Sequence, residues 1–153
     1  MTTGIKHLYV HVPFCKTICY YCDFCHRIYK EKIADQWLNQ LQKEIDELCK
    51  DSYETIYIGG GTPSCLSLKQ LERLLNMLLP FSSQVIEYTF EVNPESIDQT
   101  KIEILKRYGV NRISMGIQTS DDALLKALGR RHSFGQAKEK IELLKKNGLN
   151  NIS

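Results

Sequence analysis

Cysteines are concentrated in one short stretch of the chain. Four of them, Cys15, Cys19, Cys22 and Cys25, fall within eleven residues. A hydrophobic core has no need of that density of thiols. The loop is short enough for the first three sulfurs to converge, because a chain gains at most about 3.3–3.6 Å per residue. Soft thiolate ligands select zinc or iron–sulfur clusters, so this stretch predicts a metal centre.

The spacing between the cysteines narrows the kind of metal centre. Three residues separate Cys15 from Cys19, and two separate Cys19 from Cys22. This spacing differs from the cysteine runs of bacterial and plant ferredoxins. It also differs from zinc ribbons, which pair one two-thiol knuckle with a distant second one. A cluster held by three thiolates would leave one iron open, which suits catalysis. A structural zinc site that includes Cys25 is the alternative.

A glycine-rich stretch follows a β-rich run later in the chain. It reads Gly59-Gly60-Gly61-Thr62-Pro63 and lacks the Gly-Lys-Ser/Thr ending of a phosphate-binding loop. By itself it could be a tight turn. Glycine also lets backbone groups come close to a ligand, because no Cβ stands in the way. The stretch therefore predicts either a turn or a backbone surface that meets a ligand.

Motifs along nearly all of the 153 residues resemble one family. The three-cysteine spacing, with aromatic Tyr21 before the third cysteine, resembles the radical S-adenosylmethionine (SAM) superfamily. Within it, the order of motifs is similar to the oxygen-independent coproporphyrinogen III oxidases and their haem-chaperone relatives. The motifs are Tyr9-Val10-His11-Val12-Pro13-Phe14-Cys15, Gly59-Gly60-Gly61-Thr62-Pro63-Ser64, Glu91-Val92-Asn93-Pro94, Arg112-Ile113-Ser114-Met115-Gly116-Ile117-Gln118 and Leu128-Gly129-Arg130-Arg131-His132.

The resemblance implies a 4Fe–4S cluster held by Cys15, Cys19 and Cys22, whose open iron binds the amino and carboxylate groups of SAM. The haem-chaperone branch typically reads Cys-Asp-Phe-Asn at the third cysteine. The run Cys22-Asp23-Phe24 matches that reading, and Cys25 stands where asparagine is usual. Cys25 is therefore expected not to be a ligand. Cys49 and Cys65 are expected to pack as small hydrophobes.

The resemblance also implies which residues contact SAM. The glycine-rich loop would contact the methionine amino group, a carboxylate would hold ribose hydroxyls, and a guanidinium would pair with the methionine carboxylate. The predicted contact residues are Tyr9, Tyr21, Gly60, Gly61, Thr62, Glu91, Gln118 and Arg130. Without the resemblance, Glu91 could be a surface carboxylate and the tyrosines could be core aromatics. Arg131 is the candidate in place of Arg130 if the alignment with the family motif is shifted by one residue. No role is assigned to His11.

Two activities follow from the resemblance, and the chain's status as an enzyme depends on which applies. Reductive cleavage of SAM by an electron from the cluster would give a 5′-deoxyadenosyl radical, and the resemblance leaves open whether the chaperone branch turns SAM over. In the oxidase branch that radical would abstract hydrogen from the propionates of coproporphyrinogen III, which then lose their carboxylates and become vinyl groups. In the chaperone branch the domain would bind and deliver haem. Cys22-Asp23-Phe24 and Leu128–His132 favour the chaperone branch. The implied partners are haem or a porphyrin and an electron donor such as flavodoxin or ferredoxin.

Length and composition limit the number of domains, the class of partner and the cellular compartment that the sequence predicts. A chain of 153 residues with 42% hydrophobic residues predicts one domain with its own core. A net charge of +2 with 25% charged residues gives no reason to expect nucleic acid as a partner. No apolar run approaches the about 18–20 residues that cross a bilayer. The first residues lack the apolar segment of a secretory signal, so the six cysteines predict metal binding in a reducing cytoplasm.

Apolar periodicity predicts the elements that position these residues. Predicted strands are 7–12, 55–58, 85–92, 112–115 and 151–153. Three predicted helices cover 31–49, 98–108 and 121–128. A fourth predicted helix begins at Leu68 and is closed by Pro80, and a fifth is capped by Ser133 and ends at Asn147-Gly148. This alternation predicts an α/β fold with a parallel sheet and helical crossovers.

In such folds the chemistry lies on loops after the carboxyl ends of strands, and the cysteines, the glycine-rich stretch, Glu91 and Gln118 each end or follow a predicted strand. The resemblance adds a partial (βα)6-type barrel. Four βα units and a strand stub cannot complete that barrel. The chain is therefore expected to be the N-terminal part of a radical SAM core domain, without an internal boundary.

Overall fold

The structure is a computed structural model that describes residues 7–48 and 53–153. Its strands in these ranges are β1 (His7–Val12), β2 (Phe14–Cys15), β3 (Arg27–Ile28), β4 (Thr55–Gly60), β5 (Glu87–Val92), β6 (Arg112–Met115) and β7 (Asn151–Ile152). Five of them form the central sheet in the order β1-β4-β5-β6-β7, and every neighbouring pair is parallel. The predicted α/β fold with a parallel sheet is confirmed.

Helices connect the successive strands of the central sheet. They are α1 (Glu31–Glu47), α2 (Leu68–Leu78), α3 (Gln99–Arg107), α4 (Asp122–Ala127) and α5 (Phe134–Lys146). None of the helices in the described ranges has the length and apolar composition needed to cross a membrane. Because all five strands run the same way, their carboxyl ends and the loops that follow them meet at one edge of the sheet.

The two faces of the sheet differ in polarity, because side chains alternate along a strand. Val10, Ile58 and Phe90 are buried and join the helices in one hydrophobic core. On alternate positions, Tyr57 and Glu91 are only half-buried. The polar face therefore carries the side chains that are free to reach the loops at the carboxyl edge.

Side-chain caps fix where the helices begin. Ser67 and Ser133 each accept a hydrogen bond from the backbone N–H three residues later, of Gln70 at 3.3 Å and Gln136 at 3.1 Å. The glutamine side chains bond back to the serine N–H groups, which completes a capping box at each helix. The predicted cap at Ser133 is confirmed. Asp98, the predicted first residue of this helix, caps α3 from outside, so α3 begins one residue later than predicted, at Gln99.

A short parallel pair closes the cysteine loop at its base. Phe14 pairs with Arg27, and Cys15 pairs with Ile28, so residues 16–26 leave and re-enter the fold at one place. Phe14 anchors this base, since its ring packs edge-on against Trp37 with 5.7 Å between centroids. The pair β2–β3 was not predicted, because two-residue strands carry no periodicity.

Several predicted bounds differ from the observed ones. Strand β4 continues through Gly59 and Gly60 instead of stopping at residue 58, because both glycines pair with β1. Strand β5 starts at Glu87, two residues later than predicted. Helix α2 ends at Leu78, and Pro80 lies in a 3₁₀ turn over Leu79–Phe81. The predicted packing of Cys49 lies outside the described residues.

Candidate functional site

One cavity at the carboxyl edge of the sheet brings the predicted site residues together. Its volume is about 370 Å³. All predicted residues except Tyr9 line it: Cys15, Cys19, Tyr21, Cys22, Gly60, Gly61, Thr62, Glu91, Gln118 and Arg130. Residues more than a hundred positions apart in sequence thus meet around one space, as the loops of a parallel sheet allow.

Each of the three predicted ligand thiols has a polar neighbour. The Thr62 hydroxyl donates to Cys15 Sγ at 3.4 Å, and Arg130 Nη1 donates to Cys19 Sγ at 3.5 Å. His26 Nδ1 lies 3.8 Å from Cys22 Sγ. Cys25, in contrast, is exposed and does not line the cavity. The three thiols that face the cavity are those of the predicted ligand set.

Electrostatics at Cys15 favour the neutral thiol in the absence of a metal. Burial raises the pKa of the Cys15 thiol, while the Thr62 hydrogen bond lowers it, and the Cys22 and Cys19 charges raise it further. Arg130 lowers it again. A thiolate at this position needs a compensating cation, which a coordinated metal supplies.

The glycine-rich loop packs so closely that side chains are excluded. A Cβ on Gly61 would lie 2.7 Å from Phe14 O and 2.9 Å from Cys15 Sγ. Gly60 has φ of +115°, a conformation that favours glycine. The glycines are needed because the loop passes directly over the first cysteine, and their backbone also lines the cavity.

Glu91 is held by two donors at the cavity wall. The Tyr57 hydroxyl donates to Oε1 at 2.5 Å, and Gly60 N donates to Oε2 at 3.0 Å. Burial, and then the hydrogen bond to Glu91, raise the pKa of Tyr57, which keeps the hydroxyl protonated as a donor. Glu91 is therefore a fixed cavity residue and not a free surface carboxylate.

Arg130 joins the cysteine loop to the strand ends. Its Nη2 donates to Gly116 O at 2.6 Å and to Asn93 Oδ1 at 2.9 Å, while Nη1 reaches Cys19. Its Nε is buried and has no hydrogen-bond partner among the residues that the structure describes. Arg131, the neighbouring candidate, is exposed and does not line this cavity. The guanidinium has thus been placed by the protein with capacity left for a further acceptor.

Gln118 follows β6 in an unusual backbone conformation. Its φ is +74°, in the left-handed region, where a residue with a Cβ costs about 1–2 kcal/mol. Its side chain is exposed at the cavity. Such strain is found where the surrounding structure holds a functional residue in place.

Tyr9 lies apart from the cavity. Its side chain is 56% exposed, its ring packs 5.9 Å from that of Tyr57, and its hydroxyl is 3.1 Å from His11 Nδ1. The opposite nitrogen, His11 Nε2, lies 2.8 Å from Cys25 O. A carbonyl only accepts, so in the neutral ring Nε2 carries the proton and Nδ1 accepts from Tyr9. His11, assigned no role from sequence, holds the end of the cysteine loop.

Asn93 is a site residue that sequence reasoning missed. Its Nδ2 donates to Thr62 Oγ1 at 3.1 Å, and its Oδ1 accepts from Arg130. In the sequence it stands only within the motif Glu91-Val92-Asn93-Pro94, with no role assigned to it. Its place directly after a strand that ends in Glu91 was the available signal. Asn93 therefore connects the residues that contact Cys15 and Cys19.

The donor geometry bears on which metal group fits. Among the His, Cys, Asp and Glu side chains of the described residues, no group of three or more is arranged to hold a single metal ion. A zinc site would need four ligands at about 2.0–2.3 Å from one ion. Cys15, Cys19 and Cys22 instead line one shared cavity.

Comparisons with known proteins agree with the site. The pattern of the radical SAM superfamily matches residues 9–153. The haem chaperone HemW of Lactococcus lactis subsp. lactis is 44% identical over 147 residues, which cover 95% of this chain and 39% of that protein. The anaerobic coproporphyrinogen III oxidase 1 of Cereibacter sphaeroides is 31% identical over 157 residues, covering 95% of this chain and 34% of that protein.

The fold agrees as well. The structure of the coproporphyrinogen III oxidase HemN from Escherichia coli matches with a TM-score of 0.87 and 27% identity, covering 95% of this chain and 35% of that one. The chain thus spans about two-fifths, 39–41%, of the first curated relatives that it matches. The family pattern extends from Tyr9, before the cysteine loop, to the last residue, and therefore includes every strand end that builds the cavity. The chain belongs to the radical SAM superfamily.

Proposed function

We propose that the chain binds a 4Fe–4S cluster through Cys15, Cys19 and Cys22, with SAM in the adjoining cavity. We further propose that it forms the N-terminal part of a radical SAM core of the haem-chaperone type. The observation that carries the proposal is the shared cavity, which is lined by the three thiols together with Glu91 and Arg130. A bound cluster would supply the electron that cleaves SAM reductively.

The residues present fit the cluster. Three thiols face one space, two of them hydrogen-bonded from Thr62 and Arg130, and such hydrogen bonds tune an iron–sulfur centre. The backbone at Gly61 approaches Cys15 so closely that a Cβ would lie within 2.9 Å of its sulfur. A cluster held by these three thiols would leave one iron open to a further ligand such as SAM.

The residues present also fit SAM. Arg130 has a buried Nε without a partner, and a guanidinium is suited to a carboxylate. Glu91 is oriented by two donors, which leaves lone pairs of a fixed carboxylate for ribose hydroxyls. Tyr21 and Gln118 lie at the same wall. Tyr9 would act on SAM only through its neighbours His11 and Tyr57.

The haem-chaperone branch is favoured over the oxidase branch. The relative at 44% identity is a haem chaperone, whereas the oxidase relative is 31% identical. We therefore propose haem as the bound tetrapyrrole, with a cytoplasmic electron donor such as a flavodoxin or ferredoxin. Oxidative decarboxylation of coproporphyrinogen III is the second candidate, because the HemN structure matches at a TM-score of 0.87.

Anaerobic reconstitution tests the proposal. The chain is incubated with iron and sulfide, and the reduced protein is examined by EPR spectroscopy with and without SAM. A 4Fe–4S signal whose g-values shift on SAM addition is expected. Cys15→Ala, Cys19→Ala and Cys22→Ala should each lose the cluster, whereas Cys25→Ala should keep it. Retention of one zinc and no iron would replace the proposal with a structural zinc module.

A second assay separates the two branches. The reconstituted chain is titrated with haem, and the absorbance of bound haem measures binding. In a separate reaction, the chain is incubated with coproporphyrinogen III, SAM and a reductant. Haem binding without vinyl products is expected. Formation of vinyl groups on the porphyrin, with loss of carbon dioxide, would assign the chain to the oxidase branch.

A further inference from the structure

A buried lysine lies behind the cavity and is not part of its lining. Lys101, in α3, is only 8% exposed. Its Nζ donates to Ser64 O at 2.6 Å and to Ser96 O at 3.0 Å. Lysine is almost never buried to this degree unless it is paired. Here the partners that the structure shows are the carbonyls of two separate turns.

Burial of the Lys101 ammonium costs the free energy of removing a charged group from water. Burial lowers the pKa of Lys101, and the charge of Asp98 at the cap of the same helix opposes that shift. A neutral aliphatic side chain in this position would avoid the desolvation. The ammonium provides several donors from one atom, which lets it bond two carbonyls at once.

The two carbonyls belong to turns that continue the site loops. Ser64 lies in the 3₁₀ turn Pro63–Cys65, directly after the glycine-rich loop, and Ser96 lies in the 3₁₀ turn Pro94–Ser96, after β5. The two serine hydroxyls also bond each other. Lys101 therefore sits at the junction that sets how far apart the two turns lie.

The same junction is connected to the ligand thiols. Ser64 Oγ accepts from Asn93 N at 3.2 Å, and Asn93 Nδ2 donates to Thr62 Oγ1 at 3.1 Å. Thr62 in turn donates to Cys15 Sγ, and Asn93 accepts from Arg130. A shift of either turn would change the hydrogen bonds at the cavity wall.

We infer that Lys101 is a positioning residue of this site, which holds the turns after the glycine-rich loop and after β5 at the separation that Thr62, Asn93 and Arg130 require. Its effect on SAM rests on the proposed function. Its effect on the two turns does not, so the two can be tested separately.

The test compares Lys101→Met with Lys106→Met. Lys106 lies in the same helix but is exposed, which makes it a matched control. Amide hydrogen exchange is measured over 60–66 and 93–97 in each variant, and SAM affinity is measured from the EPR shift of the reconstituted chain. Lys101→Met should exchange faster in both turns and bind SAM about tenfold more weakly. Lys106→Met should match the wild-type chain in both.

Each other outcome has a defined meaning. Unchanged exchange in the two turns, or faster exchange with unchanged SAM affinity, would overturn the inference. Lys101→Gln, which keeps an N–H donor group on a shorter and uncharged side chain, provides a second variant and should give an intermediate loss. Global unfolding of both variants would make Lys101 a residue of general stability and would also overturn the inference. Failure of the wild-type chain to bind SAM would refute the proposed function, while the exchange data would still test the junction.

Discussion

Tyr57 donates a hydrogen bond to Glu91 across the neighbouring strands β4 and β5, with 2.5 Å between the phenolic oxygen and Oε1. Tyr57 itself does not line the cavity. Its hydroxyl, together with the N–H of Gly60, fixes the carboxylate from behind. The orientation of Glu91 is therefore set by residues that a bound ligand would not contact.

Removal of this hydroxyl should weaken ligand binding without loss of the fold. In Tyr57→Phe, Glu91 loses a donor and gains rotational freedom, so SAM affinity should fall about tenfold or more, as expected for a hydrogen bond to a charged group worth about 1.5–3 kcal/mol. The measurement is SAM binding to the reconstituted chain, followed by EPR.

Tyr88→Phe is the matched control for that substitution. Tyr88 lies in β5, and its buried hydroxyl has no hydrogen-bond partner. Its removal should leave SAM affinity unchanged and should not lower stability, because no hydrogen bond is lost. Equal effects of the two substitutions would show that Tyr57 contributes only packing.

Gly61→Ala should disrupt the metal centre. The added Cβ would lie 2.7 Å from Phe14 O and 2.9 Å from Cys15 Sγ, and backbone at the base of the cysteine loop cannot move aside cheaply. We expect destabilisation of about 1–3 kcal/mol and a reduced iron content after reconstitution. Denaturant unfolding and iron analysis provide the measurements.

Gly135→Ala tests whether the Gly61 effect is specific. Gly135 lies in α5, where a new Cβ would meet only Ser133 Oγ at 3.6 Å, an ordinary contact. Alanine should stabilise that helix by about 0.5–1 kcal/mol and leave the iron content unchanged. A normal iron content in Gly61→Ala would contradict the close packing of the loop on Cys15.

The sequence predicted the elements better than the contacts between them. Helix α5 carries a serine cap and a regular apolar repeat, and the structure begins it directly after Ser133, as predicted. Parallel strands place their carboxyl ends at one edge, which brought Glu91 and Gln118 to the same cavity as the cysteines. Local periodicity and sheet topology are sufficient to predict the helices and the edge of the sheet at which the site lies.

The missed contacts depend on pairings that no local pattern encodes. Strands β2 and β3 have two residues each, and Lys101 reads as an ordinary helix lysine until two distant turns meet it. Tyr9 is predicted to contact SAM, yet its hydroxyl reaches His11 and its side chain does not line the cavity. Such outcomes are set by side-chain packing across strands, which a single sequence does not show.

His11 should control how firmly the cysteine loop is held. It donates to Cys25 O at 2.8 Å, so His11→Ala should free the end of the loop and leave a carbonyl unpaired. Loss of such an exposed hydrogen bond costs about 0.5–1.5 kcal/mol. We expect the reconstituted cluster of this variant to bleach several-fold faster in air than that of the wild-type chain. The visible absorbance of the cluster measures the rate of bleaching.

His11→Gln and His7→Ala complete that experiment. Glutamine retains an N–H donor on a long side chain and should restore part of the cluster lifetime. His7 lies in the same strand but bonds Thr55 at 2.9 Å, away from the cysteine loop, so its removal should not matter. A cluster in His11→Ala as long-lived as in the wild-type chain would remove His11 from the site.

Cys65 should make the stability of the fold fall at alkaline pH. It packs in the core as predicted, and burial raises the pKa of its thiol from 9.0 to about 12. The folded state therefore keeps a proton that the unfolded state releases. Stability from this group is fully present below pH about 9 and is lost as the pH rises toward about 12, because the folded state then binds more protons than the unfolded state.

Comparison of the wild-type chain with Cys65→Ala isolates this contribution. The variant leaves a small cavity and should be less stable near neutral pH by about 1 kcal/mol, but its stability should fall less steeply above pH about 9. Unfolding by denaturant at a series of pH values, with cluster-free protein, measures how the free energy of unfolding of each protein changes with pH. Parallel slopes for the two proteins would mean that the Cys65 thiol ionises as readily in the folded chain as in the unfolded one.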